Sequence, residues 1–267
     1  MRRAPHCDFG SQADIAYNEI MPQQITQEHL EQLIALEAGV HYGSPPPAGE
    51  PPFVLVRRTS PVLLSAPHGA STCRNNRQET WHQEEDYTAG LALLLAELCH
   101  TSVIATIWRT DDSDPNYHPE TQSAYKRAVR QLVADQAIRW VIDLHGAAQA
   151  SLPSHHLVDL GFRLEKQSLP PTQVAMLTQL LETRLGHGTV SHNVFPALQA
   201  NRSITAFCQD SLGVHAVQIE LKPAVRLAQR RPEASAYPRE GPYQAPPRLV
   251  LGLMQALADF ITWLQQI

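Results

Sequence analysis

The sequence has no apolar run approaching the 20 or so residues that a membrane-spanning helix needs, so no membrane partner is expected. Its first residues, Met1-Arg2-Arg3-Ala4-Pro5-His6-Cys7, lack the apolar stretch of a signal peptide. It also lacks an excess of positive charge, with 21 Lys and Arg against 26 Asp and Glu, a net charge of −5 and a pI near 6.2. That balance offers no general attraction to polyanions, so nucleic acid is not an expected partner either. Cysteine is scarce, and the four present (Cys7, Cys73, Cys99, Cys208) are too widely spaced for a metal or redox motif. They read as reduced thiols in a cytoplasmic protein. A Gly-x-Ser-x-Gly elbow is missing, and neither Cys73 nor Cys208 stands at a helix start that would activate a thiolate. A serine or cysteine nucleophile is thereby disfavoured.

What remains is an ordinary globular composition, 43% hydrophobic and 18% charged, in a chain of 267 residues that can bury a sizeable core. Histidine, at thirteen residues, is the unusual component. Residues 1–25 are polar and read as an irregular arm. The Pro-rich stretch at 44–52 can sustain neither helix nor ladder, and it reads as a surface loop inside one domain spanning 1–267. A second Pro-rich loop lies at 232–247. Apolar spacing predicts helices over 26–38, 86–100, 119–137, 171–185 and 246–265, and strands over 53–57, 61–66, 103–108, 140–145, 156–160 and 215–221. Strands alternating with helices, several of them apolar on both faces, indicate an α/β protein with helices layered on a central sheet.

Three polar groups stand at the ends of apolar strands. His68 follows Val62-Leu63-Leu64-Ser65-Ala66-Pro67, His145 follows Val141-Ile142-Asp143-Leu144, and Glu220 follows Val217-Gln218-Ile219. In open α/β sheets, ligands collect where the carboxyl ends of strands and their loops converge. Each histidine precedes a glycine, which gives the backbone freedom to turn and leaves room beside the imidazole. Two imidazoles and a carboxylate gathered in this way suit a catalytic zinc with a position open to water. A further ligand is expected from Glu84-Glu85-Asp86, just before a helix, where carboxylates also serve as caps and dipole partners. Composition does not separate these three. His155 and His156 are rival ligands, although adjacent strand residues face opposite ways. Asp143, two residues before His145, shares its face and could orient an imidazole or enter the site.

Pro67-His68-Gly69-Ala70, Glu85-Asp86-Tyr87-Thr88, Asp114-Pro115-Asn116, Ile142-Asp143-Leu144-His145-Gly146 and Gln218-Ile219-Glu220-Leu221 occur in the order found in the N-formylglutamate amidohydrolase family. The chain resembles that family over residues 60–265, and the family looks related to zinc carboxypeptidases and aspartoacylases. The resemblance implies a three-layer αβα fold with a mixed, mostly parallel sheet of the zinc-carboxypeptidase (phosphorylase/hydrolase-like) type. It implies zinc held by His68, Asp86 and His145, with Glu220 as catalytic carboxylate and Asn116 at the substrate. Two motifs depart from the family: Tyr117 stands where Asp-x-Asn-Arg has its arginine, and Leu221-Lys222-Pro223 follows Glu220, with Arg226 further on. The expected function is zinc-dependent hydrolysis of the amide of a small acidic N-acyl amino acid. A carboxypeptidase-like peptidase and a non-catalytic binding protein on the same scaffold are the alternatives. Such substrates carry carboxylates, so an arginine clamp is expected. Arg109, at the end of the 103–108 strand, is the first choice for this clamp and for steadying the oxyanion, with Arg127 and Arg202 behind it.

Overall fold

The apolar runs become neighbouring strands of one sheet in a computed structural model of the protein, which describes residues 24–75, 80–163, 169–197, 203–234 and 244–267. The chain order is α1 (Gln27–Ala38), β1 (Phe53–Val56), β2 (Val62–Ala66), β3 (Thr72–Asn75), β4 (Thr80–His82), α2 (Thr88–Leu98) and β5 (Ser102–Thr106). A short 3₁₀ turn (Glu120–Gln122), α3 (Ala124–Gln136), β6 (Trp140–Gly146), β7 (Val158–Gly161), α4 (Pro171–Leu185) and β8 (Val190–His192) follow. The chain continues through α5 (Ile204–Leu212), β9 (His215–Leu221), α6 (Pro223–Arg226) and α7 (Pro247–Leu264).

Seven strands form a mixed sheet in the order β1-β5-β2-β6-β9-β7-β8, while β3 and β4 pair as a separate hairpin. The central strands β5, β2, β6 and β9 are mutually parallel, β1 and β7 run against them, and β8 is parallel to β7. The carboxyl ends of β2, β6 and β9 therefore share one edge.

Alternation along the strands assigns each residue to a face. Val62, Leu64, Val103, Ala105, Ile142, Leu144, Val217 and Ile219 pack with α1, α2, α4 and α7. Leu63, Ile104, Val141 and Ala216 pack with Tyr125, Val129 and Leu132 of α3 and Ile204, Phe207 and Cys208 of α5. These are the three layers, and His145, two residues beyond Asp143 and four beyond Val141, belongs to the α3/α5 face.

The long elements lie within a few residues of their sequence-based boundaries. The expected helix over 119–137 resolves into the 3₁₀ turn and α3, because Ser123 is extended (φ −113°, ψ 109°) and its side chain caps α3 by accepting from the Lys126 amide. The sequence reading missed the β3–β4 hairpin, β8, α5 and α6, which are short or carry little periodicity. The expected irregular arm falls almost wholly in residues 1–23, outside the described residues, and most of the second Pro-rich loop falls in 235–243, also outside them.

The glycines after the two histidines are explained by close approach rather than by an unusual φ. A Cβ on Gly69 would lie 2.4 Å from Ala89 Cβ and 2.5 Å from the Thr106 carbonyl oxygen. A Cβ on Gly146 would lie 2.9 Å from the Arg226 guanidinium. Among the described residues, no helix is long and apolar enough to cross a membrane.

Candidate metal centre

His68 leaves the end of β2 and His145 the end of β6, and both side chains are almost wholly buried. Between them stands Glu85, in the loop before α2. His68 Nδ1 lies 3.0 Å from Glu85 Oε1, and His145 Nδ1 lies 2.9 Å from Glu85 Oε2. One donor atom from each of these residues falls within 4.8 Å of the others, which is the spacing of a metal-binding group. Glu85 is held in place by the Gly146 amide, which donates to Oε2 at 3.0 Å, and by its own amide, which donates to the His68 carbonyl at 2.7 Å.

Each imidazole is backed by a second carboxylate on its far nitrogen. His68 Nε2 is 2.9 Å from Asp114 Oδ1, and His145 Nε2 is 3.2 Å from Asp143 Oδ2. With Nε2–H donated outward, a neutral imidazole turns the lone pair of Nδ1 towards Glu85. Two nitrogen lone pairs and a carboxylate then converge on a buried point that calls for positive charge. In the absence of a cation, protons supply it. Burial opposes a charge on His68, but Glu85 and Asp114 outweigh burial and push its pKa up to about 9. His145 is raised well above the histidine range, against burial, by Glu85 and Asp143. Burial works against ionised Glu85 as well, yet the two imidazoles hold it well below the carboxylate range. The donor set of two imidazoles and one carboxylate, with outward hydrogen bonds fixing both rings, fits a divalent ion such as zinc.

Asp86, the acidic ligand implied by the resemblance, faces away from this point. Its buried carboxylate pairs with Nη1 of Arg226, itself buried. Nor does Asp86 cap α2, which had been its other expected role. Glu37 of α1 does so, accepting from the Tyr87 amide at 2.7 Å and the Gly90 amide at 2.9 Å. Tyr87 has a left-handed backbone (φ 67°) at the start of α2. Glu84 accepts from the Ser71 hydroxyl at 3.0 Å.

Glu220 sits one strand over from His145, directly opposite it in the β6–β9 register and opposite Asp159 in the β7–β9 register. Its Oε1 accepts from Gln218 Nε2 at 2.8 Å. Burial pushes its pKa up to about 7, with His145 opposing, Glu85 adding, His68 opposing and Asp159 adding. Such a carboxyl can both take and return a proton near neutrality.

Asn116 touches the cluster directly, with Nδ2 3.1 Å from His145 Nε2, while its Oδ1 accepts from the Ile204 amide at the start of α5. Two of the expected arginines, Arg109 and Arg127, are engaged elsewhere. The fork of Arg109 is engaged by Asp111 (Nε to Oδ1, 2.6 Å; Nη2 to Oδ2, 3.2 Å), Nη1 donates to the Gly43 carbonyl, and the guanidinium lies 5.3 Å from the Trp81 ring. Arg127 donates to the carbonyls of Glu120 and Thr121. Arg202 lies outside the described residues.

Two residues near the cluster went unnoticed in the sequence. Arg74 of β3 donates Nε to Asp114 Oδ2 at 2.9 Å and keeps 39% of its side chain exposed, so a guanidinium stands beside His68 with its far end in solvent. His82, at the end of β4, places Nε2 2.9 Å from Glu85 Oε1. The spacing His82-x-x-Glu85 was the available signal for it. The rings of His155 and His156 lie 4.0 Å apart and tilted by 56°, and neither residue is part of the metal-binding group. A cavity of about 890 Å³ near α4 and β8, lined by Phe162, Val174, Thr178 and His192 among others, shares no residue with the cluster. Cys73, Cys99 and Cys208 are free and buried, and burial raises all three thiols, which suits inert core residues.

The architecture and the convergence of polar groups at the carboxyl ends of parallel strands define a three-layer α/β protein with a mixed sheet. The chain shares this fold with a crystal structure of N-formylglutamate amidohydrolase from Ralstonia eutropha JMP134, at a TM-score of 0.52 and 13% identity, covering 80% of this chain and 98% of that one. It is similarly related to a gene product of Agrobacterium tumefaciens, at a TM-score of 0.50 and 12% identity, covering 79% of this chain and 94% of that one. No protein-family model matches the sequence, and no curated protein matches it.

Proposed function

We propose that the protein is a metal-dependent amide hydrolase acting on a small N-acyl amino acid that bears a free carboxylate. The convergence of His68 Nδ1, His145 Nδ1 and the two oxygens of Glu85 on one buried point, each imidazole backed by its own carboxylate, carries this reading. His68, Glu85 and His145 are the residues that would hold zinc. When bound, that ion supplies Lewis acidity, polarising the scissile carbonyl and acidifying the attacking water.

The remaining roles fall to the chain itself. Glu220 takes the proton of the water that attacks the carbonyl carbon, and it returns a proton to the nitrogen as the C–N bond breaks. Asp114 and Asp143 hold the imidazoles in register. Asn116 lies against the outward nitrogen of His145 and is tied to the start of α5 through the Ile204 amide, so it steadies that ring from behind. Arg74 is the cation best placed for the substrate carboxylate. It approaches from β3 and stands in for the arginine that Tyr117 replaces, while Arg109 is occupied by Asp111.

The test combines elemental analysis of the purified full chain with turnover of N-formyl and N-acetyl glutamate, aspartate and leucine. One equivalent of zinc, loss of turnover on chelation and recovery on zinc addition are expected. Glu220→Gln should keep the metal and lose about 10²–10⁴-fold in kcat. Arg74→Ala should raise KM for the acidic substrates selectively, and Arg109→Ala should leave it unchanged. Full turnover by metal-free protein would defeat the proposal.

A further inference from the structure

The β3–β4 hairpin delivers a third imidazole to the cluster. His82 Nε2 is 2.9 Å from His68 Nδ1 and 2.9 Å from Glu85 Oε1, and those two atoms are 3.0 Å apart. The rings of His68 and His82 meet edge to face, with centroids 4.0 Å apart. A triangle of nitrogen, nitrogen and carboxylate oxygen with sides this short has more lone pairs than protons can bridge with good geometry. Zinc bonds of about 2.0–2.1 Å set near right angles, as in a five-coordinate ion, separate neighbouring donors by about 2.9 Å, close to these edges. The side chain of His82 is 25% exposed, the most open of the set, and the hairpin bearing it is tied to the body by the Cys73 amide, which donates to the Thr110 carbonyl at 2.8 Å.

We infer that His82 is a fourth protein donor to the metal, joining His68, Glu85 and His145 in a set of three imidazoles and one carboxylate that leaves a fifth position for the attacking water. This rests on the proposed metal centre and adds a ligand from outside the main sheet. The arrangement explains why Glu85 presents Oε1 to two imidazoles, His68 and His82, and Oε2 to one, His145.

X-ray absorption at the zinc edge of the zinc-loaded full chain should count three imidazoles, and His82→Ala should reduce the count to two. Competition with a chromophoric chelator should show zinc affinity falling in His82→Ala by at least the roughly 10–100-fold that losing an outer-sphere partner costs. Two imidazoles in the wild type would overturn the inference while leaving the metal centre standing, and this count does not depend on the variant folding. Unchanged affinity and count in a folded His82→Ala would overturn it equally. A wild-type chain that takes up no zinc would overturn both this inference and the proposed function.

Discussion

Glu85 and Asp86 are neighbours in the chain and both are buried, yet they belong to opposite kinds of polar interior. Around Asp86 the protein answers charge with its own charge: Arg226 pairs with the carboxylate and also donates Nε to the Leu221 carbonyl at 3.0 Å. Around Glu85 the complement is made of groups that can give up their protons, three imidazoles, two of which are backed by carboxylates. The first region is closed and its charges are fixed. The second changes charge with whatever occupies it, which is the property a metal centre needs.

The comparison breaks most visibly if one partner is removed from the closed region. Asp86→Asn and Arg226→Met should each cost about 3–5 kcal/mol in urea unfolding, because each leaves a buried group unpaired. The folded fraction should still take up metal. If instead Asp86→Asn loses metal at unchanged stability, the assignment of the two acids is reversed. A smaller effect is expected from the outer carboxylates of the open region. Asp114→Asn and Asp143→Asn should each weaken metal binding by about 10–100-fold, measured by chelator competition. Equal affinity in both variants would show that the imidazoles need no backing.

A further effect is a slope with pH. Glu220 has its folded pKa raised from 4.5 to about 7, so its protonated form is favoured in the fold. Its stabilising contribution is complete below the ordinary carboxylate value and is lost as pH rises through about 7. Metal-free wild type should therefore lose stability relative to Glu220→Gln between those limits. Parallel stability–pH curves for the two proteins would contradict the raised pKa.

Much of this was legible in the sequence where periodicity and strand ends coincide. The runs ending in His68, His145 and Glu220 are apolar on both faces, which marks central parallel strands and predicts which loops converge. The choice among Glu84, Glu85 and Asp86 was not legible. It depends on Arg226, 140 positions away, claiming Asp86, on the Gly146 amide holding Glu85 and on Ser71 engaging Glu84. Arg74 and His82 escaped notice because their strands are only four and three residues long, too short for alternation to register. Arg109 was a sound expectation from its strand end, but Asp111 two residues later takes its fork, a local pairing that strand-end logic does not weigh.

The cap that Glu37 places on α2 ties two distant steps of assembly together. The Tyr87 and Gly90 amides cannot be satisfied by this cap until α1 has docked, and Tyr42 adds its hydroxyl to the same carboxylate at 2.5 Å. Residues 27–42, which supply no group to the cluster, thus govern whether the turn carrying Glu85 is set. Slow amide exchange at Tyr87 and Gly90 would report the docking of α1, with the two helices expected to open as one cooperative unit rather than as a core and an appendage.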